Sequence, residues 1–320
     1  MPLTGPASYL PTADDFISHW TSANAALPPA TPIVLAAAAT LTTLSTLRAD
    51  LETQRAAVES TRNGVELARA QIEILKAGLL ERLNQFNLKL ASLAPDSPFM
   101  RLRPKAYTQG EGMGRVLPPL DDLSDVWDRY NAAHPATPLL LMNGYDFADF
   151  TADLDSLKAA YPAWSAAKNE LALARAKRTE TENKIRAILV QYRQRIPSEF
   201  PEGSPILETL PRLTPPDGAT PDAVVLSGTW NPATTQADLA WSPVTDESVT
   251  TLQLRTSAGP EYDAEDESIV ATFPAGTTPP AWSGLWGLAA PGTATTFKLY
   301  SITAEGNEHG SNAVTVTRTA

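Results

Sequence analysis

Residues 51–79 read LETQRAAVESTRNGVELARAQIEILKAGL, and this stretch decides the fold of the N-terminal half of the chain. An apolar residue opens each seven-residue unit, and the same spacing continues beyond both ends of the stretch. The members of this column are Leu44, Leu51, Val58, Val65, Ile72, Leu79, Phe86 and Leu93. A strict seven-residue spacing keeps one apolar stripe of a helix turned toward a partner helix. The stretch therefore predicts a long helix that packs along another helix, as in a coiled coil.

Two charged columns accompany the apolar stripe. Glutamate directly follows four of the apolar positions, and a basic residue stands four positions after each of the first five. These residues are Glu52, Glu59, Glu66 and Glu73, and Arg48, Arg55, Arg62, Arg69 and Lys76. Because the columns lie three or four residues apart, their side chains are spaced to pair along one helix. We interpret them as a solvated flank, since the glutamates neutralise any basic stripe for an anionic ligand.

Proline and capping residues mark the predicted ends of the first helices. A short helix is predicted for residues 12–27, with Thr12 as its N-cap. Thr31 and Pro32 form a second start, because proline is favoured at the first helical position. No further proline occurs until Pro95, so the second helix is predicted to run to Leu93.

A second heptad column lies after a segment rich in proline and glycine at about residues 95–145. That segment is predicted to hold one short helix near residues 121–133. The later column consists of Phe150, Leu157, Trp164, Leu171, Ile185 and Tyr192, and Arg178 interrupts it. Pro162 is predicted to divide this helix and Pro197 to end it. The two columns predict a long antiparallel hairpin, or a four-helix-type bundle, over residues 1–197.

The first predicted helix is longer than its return partner, so part of its apolar stripe requires another cover. The short helices can supply some of that cover, and a second copy of the chain can supply the rest. We therefore predict self-association into a dimer or a larger assembly, up to a filament. The predicted contact residues are Leu44, Leu51, Val58, Val65, Ile72 and Leu79.

The period of the sequence changes in the C-terminal third. Residues 198–221 form a proline-rich linker, and apolar and polar residues alternate after it, as in residues 238–241 and 251–255. Alternation with turn residues about every ten positions predicts a β-sandwich over residues 222–320. The fold class is thus α + β with two domains.

Several stretches of this domain resemble the fibronectin type III family. Residues 237–243, ADLAWSP, resemble its second strand, with Trp241 as the core tryptophan. Residues 291–300 resemble the turn into the sixth strand, and residues 304–317 resemble the final hairpin and last strand. Phe297 stands where the family has tyrosine, so one hydroxyl hydrogen bond is lost. The resemblance covers about a third of the chain and implies a spacer or binding module that is rarely catalytic.

Composition excludes several classes of site. The formal net charge of −11 disfavours broad binding to nucleic acid or anionic membranes, because both reward a basic surface. The chain has no cysteine, which removes disulfides and thiolate metal sites. The histidines, at positions 19, 134 and 309, lack metal-ligand spacing. We predict no catalytic, cofactor-binding or metal-binding residue, no membrane span and no enzymatic activity.

Three local features have open interpretations. Residues 110–115 superficially resemble a phosphate loop but lack the lysine, and a flexible loop is predicted. The acidic run at Glu261, Asp263, Glu265, Asp266 and Glu267 is predicted to be a solvated loop, with a hard-cation site as the alternative. Tyr262, Trp282 and Trp286 form a candidate aromatic patch for a partner, with core packing as the alternative.

Two functional classes remain. The first is a non-enzymatic structural protein that assembles through its helices and displays or docks its sandwich. The second is an adhesion or ligand-binding module, in which the sandwich recognises a glycan or a protein and the hairpin acts as a stalk. The N-terminus shows no secretory signal, so the cytoplasm is the default compartment and the final one is left open. Fold does not decide between these functions.

Overall fold

The structure is a computed structural model of the chain. It describes residues 3–28, 31–108, 110–214, 218, 220–277 and 280–319, and of Glu265 only the backbone. The N-terminal region is helical and the C-terminal region is an antiparallel β-sandwich, so the predicted coarse fold is confirmed. Within the described ranges, no helix has the length and apolar character that a membrane span requires.

Within the described residues, six α-helices occupy the N-terminal two thirds. They are α1 (Tyr9–Ala26), α2 (Leu41–Leu93), α3 (Phe99–Leu102), α4 (Met113–Ala133), α5 (Phe147–Glu199) and α6 (Pro205–Glu208). The two long helices α2 and α5 contain 53 residues each. The prediction that the first helix is longer than its partner is therefore wrong. The length difference that was expected to leave part of the apolar stripe of α2 exposed does not exist.

The start of α2 differs from the prediction. The helix begins at Leu41 rather than at Thr31, because Ile33 and Leu35 are buried in an extended segment that precedes it. Thr40 acts as the N-cap: its hydroxyl accepts a hydrogen bond from the Thr43 amide at 3.4 Å. The Thr43 hydroxyl accepts one from the Thr40 amide at 3.1 Å in return. Such a reciprocal pair satisfies two amides at a helix start.

Prolines interrupt the helices less than predicted. Helix α5 continues through Pro162 and Pro197 to Glu199, although a helix-interior proline costs about 3 kcal/mol. Leu157, Tyr161 and Trp164, which lie around Pro162, pack in or against the core of unit 2 and offset part of this cost. Helix α4 likewise contains Pro118 and Pro119.

Only the first half of residues 110–115 forms the predicted loop, and the second half is helical. Gly112 is the N-cap of α4, and the helix begins at Met113. Val116, Leu120, Leu123 and Trp127 lie three or four residues apart and are all buried. This apolar face holds the segment in a helix despite its prolines.

The chain divides into two compact units, and each of the long helices α2 and α5 has residues in both units. Unit 2 comprises Ala56–Ala176, and unit 1 comprises Met1–Arg55 together with Lys177–Ala320. The ends of the helices and the sandwich thus belong to the same unit. This grouping differs from the predicted division at residues 198–221; whether the sandwich folds alone stays a prediction.

Unit 2 has an apolar core around Trp127 of α4. The centre of its ring lies 5.3 Å from that of Phe86 on α2 and 5.6 Å from that of Phe150 on α5. Its indole N–H donates to the Leu139 carbonyl at 3.1 Å. Late α2 and early α5 residues therefore share this core, as an antiparallel pair requires.

The helical core of unit 1 joins early α2 to late α5 and α1. Leu44 and Leu51 pack with Ile185 and Tyr192, and the Trp20 ring stacks on Tyr192 with centroids 4.5 Å apart. The predicted linker is in part structured, because α6 and neighbouring side chains pack on this core. These side chains are Phe200, Ile206, Leu207, Leu210 and Leu213.

The sandwich consists of two antiparallel sheets. Its strands are β1 (Leu226–Asn231), β2 (Gln236–Trp241), β3 (Val249–Ala258), β4 (Ser268–Pro274), β5 (Ala281–Gly284), β6 (Ala294–Thr303), β7 (Glu308–Gly310) and β8 (Val314–Thr317). One sheet has the order β1-β2-β5, and the other has β4-β3-β6, with β7 and β8 both paired to β6. Trp241 on β2 and Phe297 on β6 are buried in the core between them, as the resemblance implied.

Candidate functional site

The residues predicted for self-association are largely covered within one chain. Leu44, Leu51, Val58, Ile72 and Leu79 are buried, and Val65 is half-buried. Leu44 and Leu51 lie in the helical core of unit 1, and Ile72 and Leu79 in the core of unit 2. A second copy is not needed to cover these side chains, and self-association itself stays a prediction.

The aromatic residues predicted as a patch are not brought together. Trp282 packs toward the sandwich core, with its ring centre 6.0 Å from that of Phe297. The Tyr262 hydroxyl donates to the Glu267 carboxylate at 2.6 Å, and Trp286 is exposed in the turn after β5. In the described part of the chain, no ring contact joins any two of the three predicted residues.

A buried ionic cluster lies where the helices meet the sandwich, within unit 1. The Arg178 guanidinium of α5 donates to the Asp266 carboxylate at 2.7 Å, and Asp266 stands just before β4. The Arg178 Nε atom also lies 3.6 Å from Glu182 one turn later. All three residues are buried. We call this contact, with the Arg255 cluster beside it, the ionic junction.

Arg255 forms the second half of the ionic junction from strand β3. Its guanidinium lies 3.0 Å from Glu267 and 2.5 Å from Glu308, and its Nε donates to Gln253 at 2.7 Å. The guanidinium also stacks over the Tyr300 ring, 4.0 Å from its centre. Four hydrogen bonds to acceptor oxygens and one ring face thus compensate the desolvation of this charge.

The N-terminal segment lies against the same cluster. Arg55 of α2 donates to the Pro6 carbonyl. A Cβ atom placed on Gly5 would lie 3.2 Å from the Glu267 carboxylate, so the segment passes close to that side chain. The ionic junction therefore connects α2, α5, the N-terminal segment and the sandwich.

Burial and neighbouring charges shift the protonation equilibria of the junction. Burial lowers the pKa of Arg55, and attraction to Glu182 opposes that change in part. For Arg255, burial lowers the pKa, but the hydrogen bond and charge of Glu308 outweigh it, so the net shift is upward. Burial raises the pKa of Tyr262, and the nearby Glu267 carboxylate raises it further.

The acidic run is not a solvated loop throughout. Asp266 and Glu267 are buried, and they pair with Arg178 and Arg255 respectively. Their charges are therefore balanced by arginines of the same chain. The side chain of Glu265 lies outside the described residues. Within the described residues, no group of three histidine, aspartate or glutamate side chains is placed to hold a metal ion.

The basic column of α2 is also less solvated than predicted. Arg62 and Lys76 are buried, at 3.3 Å from Glu59 and 3.2 Å from Glu73 respectively. The Tyr107 hydroxyl donates to the Lys76 carbonyl at 2.6 Å, which covers that turn of the helix. One feature of the sequence pointed to the ionic junction, namely that Arg178 replaces an apolar residue in the α5 column.

Comparisons with known proteins give partial and weak structural likenesses only. No protein-family model matches the chain, and no curated protein matches it. Among solved structures, the pectate lyase PelI from Erwinia chrysanthemi in complex with tetragalacturonic acid is 16% identical over 29% of this chain and 28% of that chain, with a TM-score of 0.25. The pectate lyase Pel3 from Pectobacterium carotovorum is 13% identical over 28% of this chain and 26% of that chain, with a TM-score of 0.23.

A third solved structure concerns the C-terminal part. A Fn3-like protein from Clostridium thermocellum is 17% identical over 32% of this chain and 97% of that chain, with a TM-score of 0.24. The chain spans less than a third of the length of the pectate lyases, and likenesses of this strength carry no argument about function.

Proposed function

We propose that the protein is a non-enzymatic structural building block that self-associates through its heptad helical domain. In this proposal, its sandwich is a fibronectin type III-like module held in place on the helices. The observation that carries the structural role is the buried bridge between Arg178 and Asp266, at 2.7 Å, which joins the sandwich to α5 within one chain.

The physical argument concerns orientation rather than stability. Taking two charges out of water costs several kcal/mol per ion, and the attraction between them returns about as much only when their geometry is good. A buried ion pair therefore adds little net stability, but it penalises every arrangement in which one charge loses its partner. A sandwich docked in this way keeps one orientation on the helix ends, as a repeating building block requires.

The solution mass tests self-association. We expect light scattering or sedimentation equilibrium at two concentrations to give a mass above the 34.3 kDa of one chain, rising with concentration. A constant mass of one chain at micromolar and higher concentration would refute the proposal.

A second candidate function is ligand binding by the sandwich, with the helices as a stalk. Leu285 and Trp286 favour it, because both are large apolar side chains exposed on the turn that follows β5. Exposed tryptophan is enriched at binding surfaces. A panel of immobilised oligosaccharides and proteins tests this function, with Trp286→Ala as the variant and Trp230→Phe as the control. Binding that Trp286→Ala abolishes supports it, and no binding by the native chain contradicts it.

A further inference from the structure

The segment that precedes α1 has a defined conformation, and we call its residues 3–8 the clasp. The Ser8 hydroxyl accepts hydrogen bonds from the amides of Thr4 at 2.9 Å and Gly5 at 3.2 Å, and it donates to the Gly5 carbonyl at 2.6 Å. Ala7 and Ser8 are buried, although both precede the first α-helix. The Ser8 side chain thereby holds the clasp in a compact turn.

The clasp is anchored to two parts of the helical region. The Leu3 amide donates to the Leu213 carbonyl at 2.9 Å, in the segment that leads from α6 to the sandwich. The Pro6 carbonyl accepts a hydrogen bond from the guanidinium of Arg55 on α2. Hydrogen bonds from a charged donor are stronger than those between neutral groups. The clasp therefore has one anchor on α2 and one on the segment before the sandwich.

The clasp also lies against the sandwich. Residues 6–8 lie against residues 264–266. A Cβ atom on Gly5 would lie 3.2 Å from the Glu267 Oε1 atom, which is closer than an ordinary van der Waals contact. The same oxygen accepts a hydrogen bond from Arg255 at 3.0 Å, which holds the carboxylate in its place. A large side chain at position 5 would therefore push the clasp away from the sandwich.

The contact between the helices and the sandwich has no apolar core of its own. In the described parts of the chain, the apolar core of the unit 1 helices lies within residues 9–213 and that of the sandwich within residues 224–316. The buried bridge between Arg178 and Asp266 crosses the contact instead. Domains that lack a large apolar interface move relative to each other by default. A single docked position therefore requires a further tie.

We propose that the clasp keeps the sandwich docked on the helices and that its displacement releases the sandwich as a folded domain. This inference rests on the docked sandwich of the proposed function and names the segment that secures it. The clasp joins α2, the segment after α6 and the turn before β4 at one place. Because it lies against residues 264–267, it keeps water away from the Asp266 carboxylate and its bridge to Arg178.

Release follows from the effect of water on that bridge. A buried charge that loses its partner is strongly penalised, whereas an exposed ion pair contributes little to stability. Once the clasp is displaced, water can solvate Arg178 and Asp266 separately, so the penalty that holds the sandwich in one position disappears. The sandwich core stays closed, because its residues all belong to the sandwich.

Docking can be measured with a pair of spin labels, because the native chain has no cysteine. Ser22 of α1 and Glu305 of the turn between β6 and β7 line one open cleft, and both are exposed. Labels on the double variant Ser22→Cys, Glu305→Cys therefore report the distance between the helices and the sandwich. With the native clasp, we expect double electron–electron resonance to give one narrow distance distribution.

A bulky substitution displaces the clasp in the labelled full-length chain. Gly5→Trp places an indole where a single Cβ atom already crowds Glu267, so a broad population at longer distances should appear. Circular dichroism should be unchanged, since both apolar cores stay intact. Gly78→Trp is the matched control: Gly78 is exposed on α2, and a Cβ atom there would meet nothing within 4 Å. It should leave the distance distribution unchanged.

A deletion removes the anchors of the clasp altogether. Without residues 3–6, the labelled chain lacks the hydrogen bonds that involve Leu213 and Arg55, whereas Ser8 remains in front of α1. We expect the same broad population at longer distances and unchanged circular dichroism. If the two variants differ, the deletion decides, because it removes both anchors. Loss of the β-sheet signal in the deletion variant would refute release of a folded domain.

The labels separate failure of the clasp from failure of docking. A narrow distribution in the native chain that stays narrow after the deletion would refute the clasp and leave the docked sandwich in place. A broad distribution in the native chain would refute the docked sandwich itself, and the clasp with it.

Discussion

The core of unit 2 and the ionic junction of unit 1 hold their elements together by different physical means. Around Trp127, helices α2, α4 and α5 exclude water from apolar and aromatic side chains. At the junction, the sandwich meets α5 through Arg178 and Asp266, two charges that each need the other. Apolar burial tolerates many arrangements of similar volume, whereas a buried charge tolerates only those that keep its partner. We therefore expect the apolar core to supply stability and the ion pair to select an orientation.

The largest expected effect separates the buried side of α2 from its exposed side. Ile72→Asp should lower the free energy of unfolding by about 4 kcal/mol, because it leaves an unpaired charge in the apolar core. Ile74→Asp, two residues away and exposed, should change it by less than about 0.5 kcal/mol. Denaturant titration of both variants measures the difference. Equal effects would mean that this core does not hold α2 as described.

The ionic junction should respond differently to single and double substitution. Arg178→Met should cost about 3 kcal/mol, because the buried Asp266 carboxylate loses the charged hydrogen bond from Arg178, whereas Glu182 keeps the attraction of Arg55. The double variant with Asp266→Leu should recover most of that loss, since both charges are then gone. A double-mutant cycle measured by denaturant titration gives the coupling. Additive effects would show that the two side chains do not interact.

Separation of the sandwich from the helices should have a smaller effect. We expect the fragment of residues 221–320 to be soluble and rich in β-structure by circular dichroism. The free energy of opening of its strands should be about 1–2 kcal/mol lower than in the full chain, because Asp266 exchanges a charged hydrogen bond for one to water. Hydrogen exchange of the β3 amides measures this free energy in the fragment and in the full chain. Asp266→Asn is the control, as it should destabilise the full chain and leave the fragment unchanged; an unfolded fragment would contradict independent folding.

The junction should also make stability depend on alkaline pH. Burial raises the pKa of Tyr262 above that of an unfolded tyrosine, about 10, so the folded state retains a proton that the unfolded state releases. The stabilising effect is complete below pH 10 and is lost as pH rises through the folded pKa. Between pH 9 and pH 11 the free energy of unfolding should fall by about 1 kcal/mol less in Tyr262→Phe than in the native chain. Parallel stability curves for the native chain and the variant would contradict this assignment.

The smallest effect is expected at an exposed ion pair of the same charge type. Arg48 pairs with Glu52 one turn along α2, where solvent and salt screen the attraction, and it also pairs with Asp14 at 2.8 Å. Glu52→Ala should therefore change the free energy of unfolding by less than about 0.5 kcal/mol. If Glu52→Ala lowered the free energy of unfolding as much as Arg178→Met, buried and exposed ion pairs would contribute equally, which contradicts this prediction.

The helix ends show where local sequence reasoning reached its limit. Thr31 and Pro32 are residue types that favour a helix start. However, Ile33 and Leu35 are buried in an extended segment, and α2 begins at Leu41. Pro162 favours a break in a helix, yet α5 is continuous through it, with Tyr161 and Trp164 packed against the core of unit 2. In both places a tertiary contact outweighed a local preference of a few kcal/mol.

The heptad columns and the alternating stretches by themselves determined that a helical region precedes a β-sandwich, because the period of apolar residues follows from the geometry of each element. The sequence also marked Arg178 as an exception within its column. Only the tertiary structure decided that Arg178 pairs with Asp266, 88 residues away, and that Arg255 pairs with Glu308. The reason is physical: periodicity records which side of an element faces an apolar neighbour, whereas the partner of a buried charge depends on which distant segment the fold brings within about 3 Å.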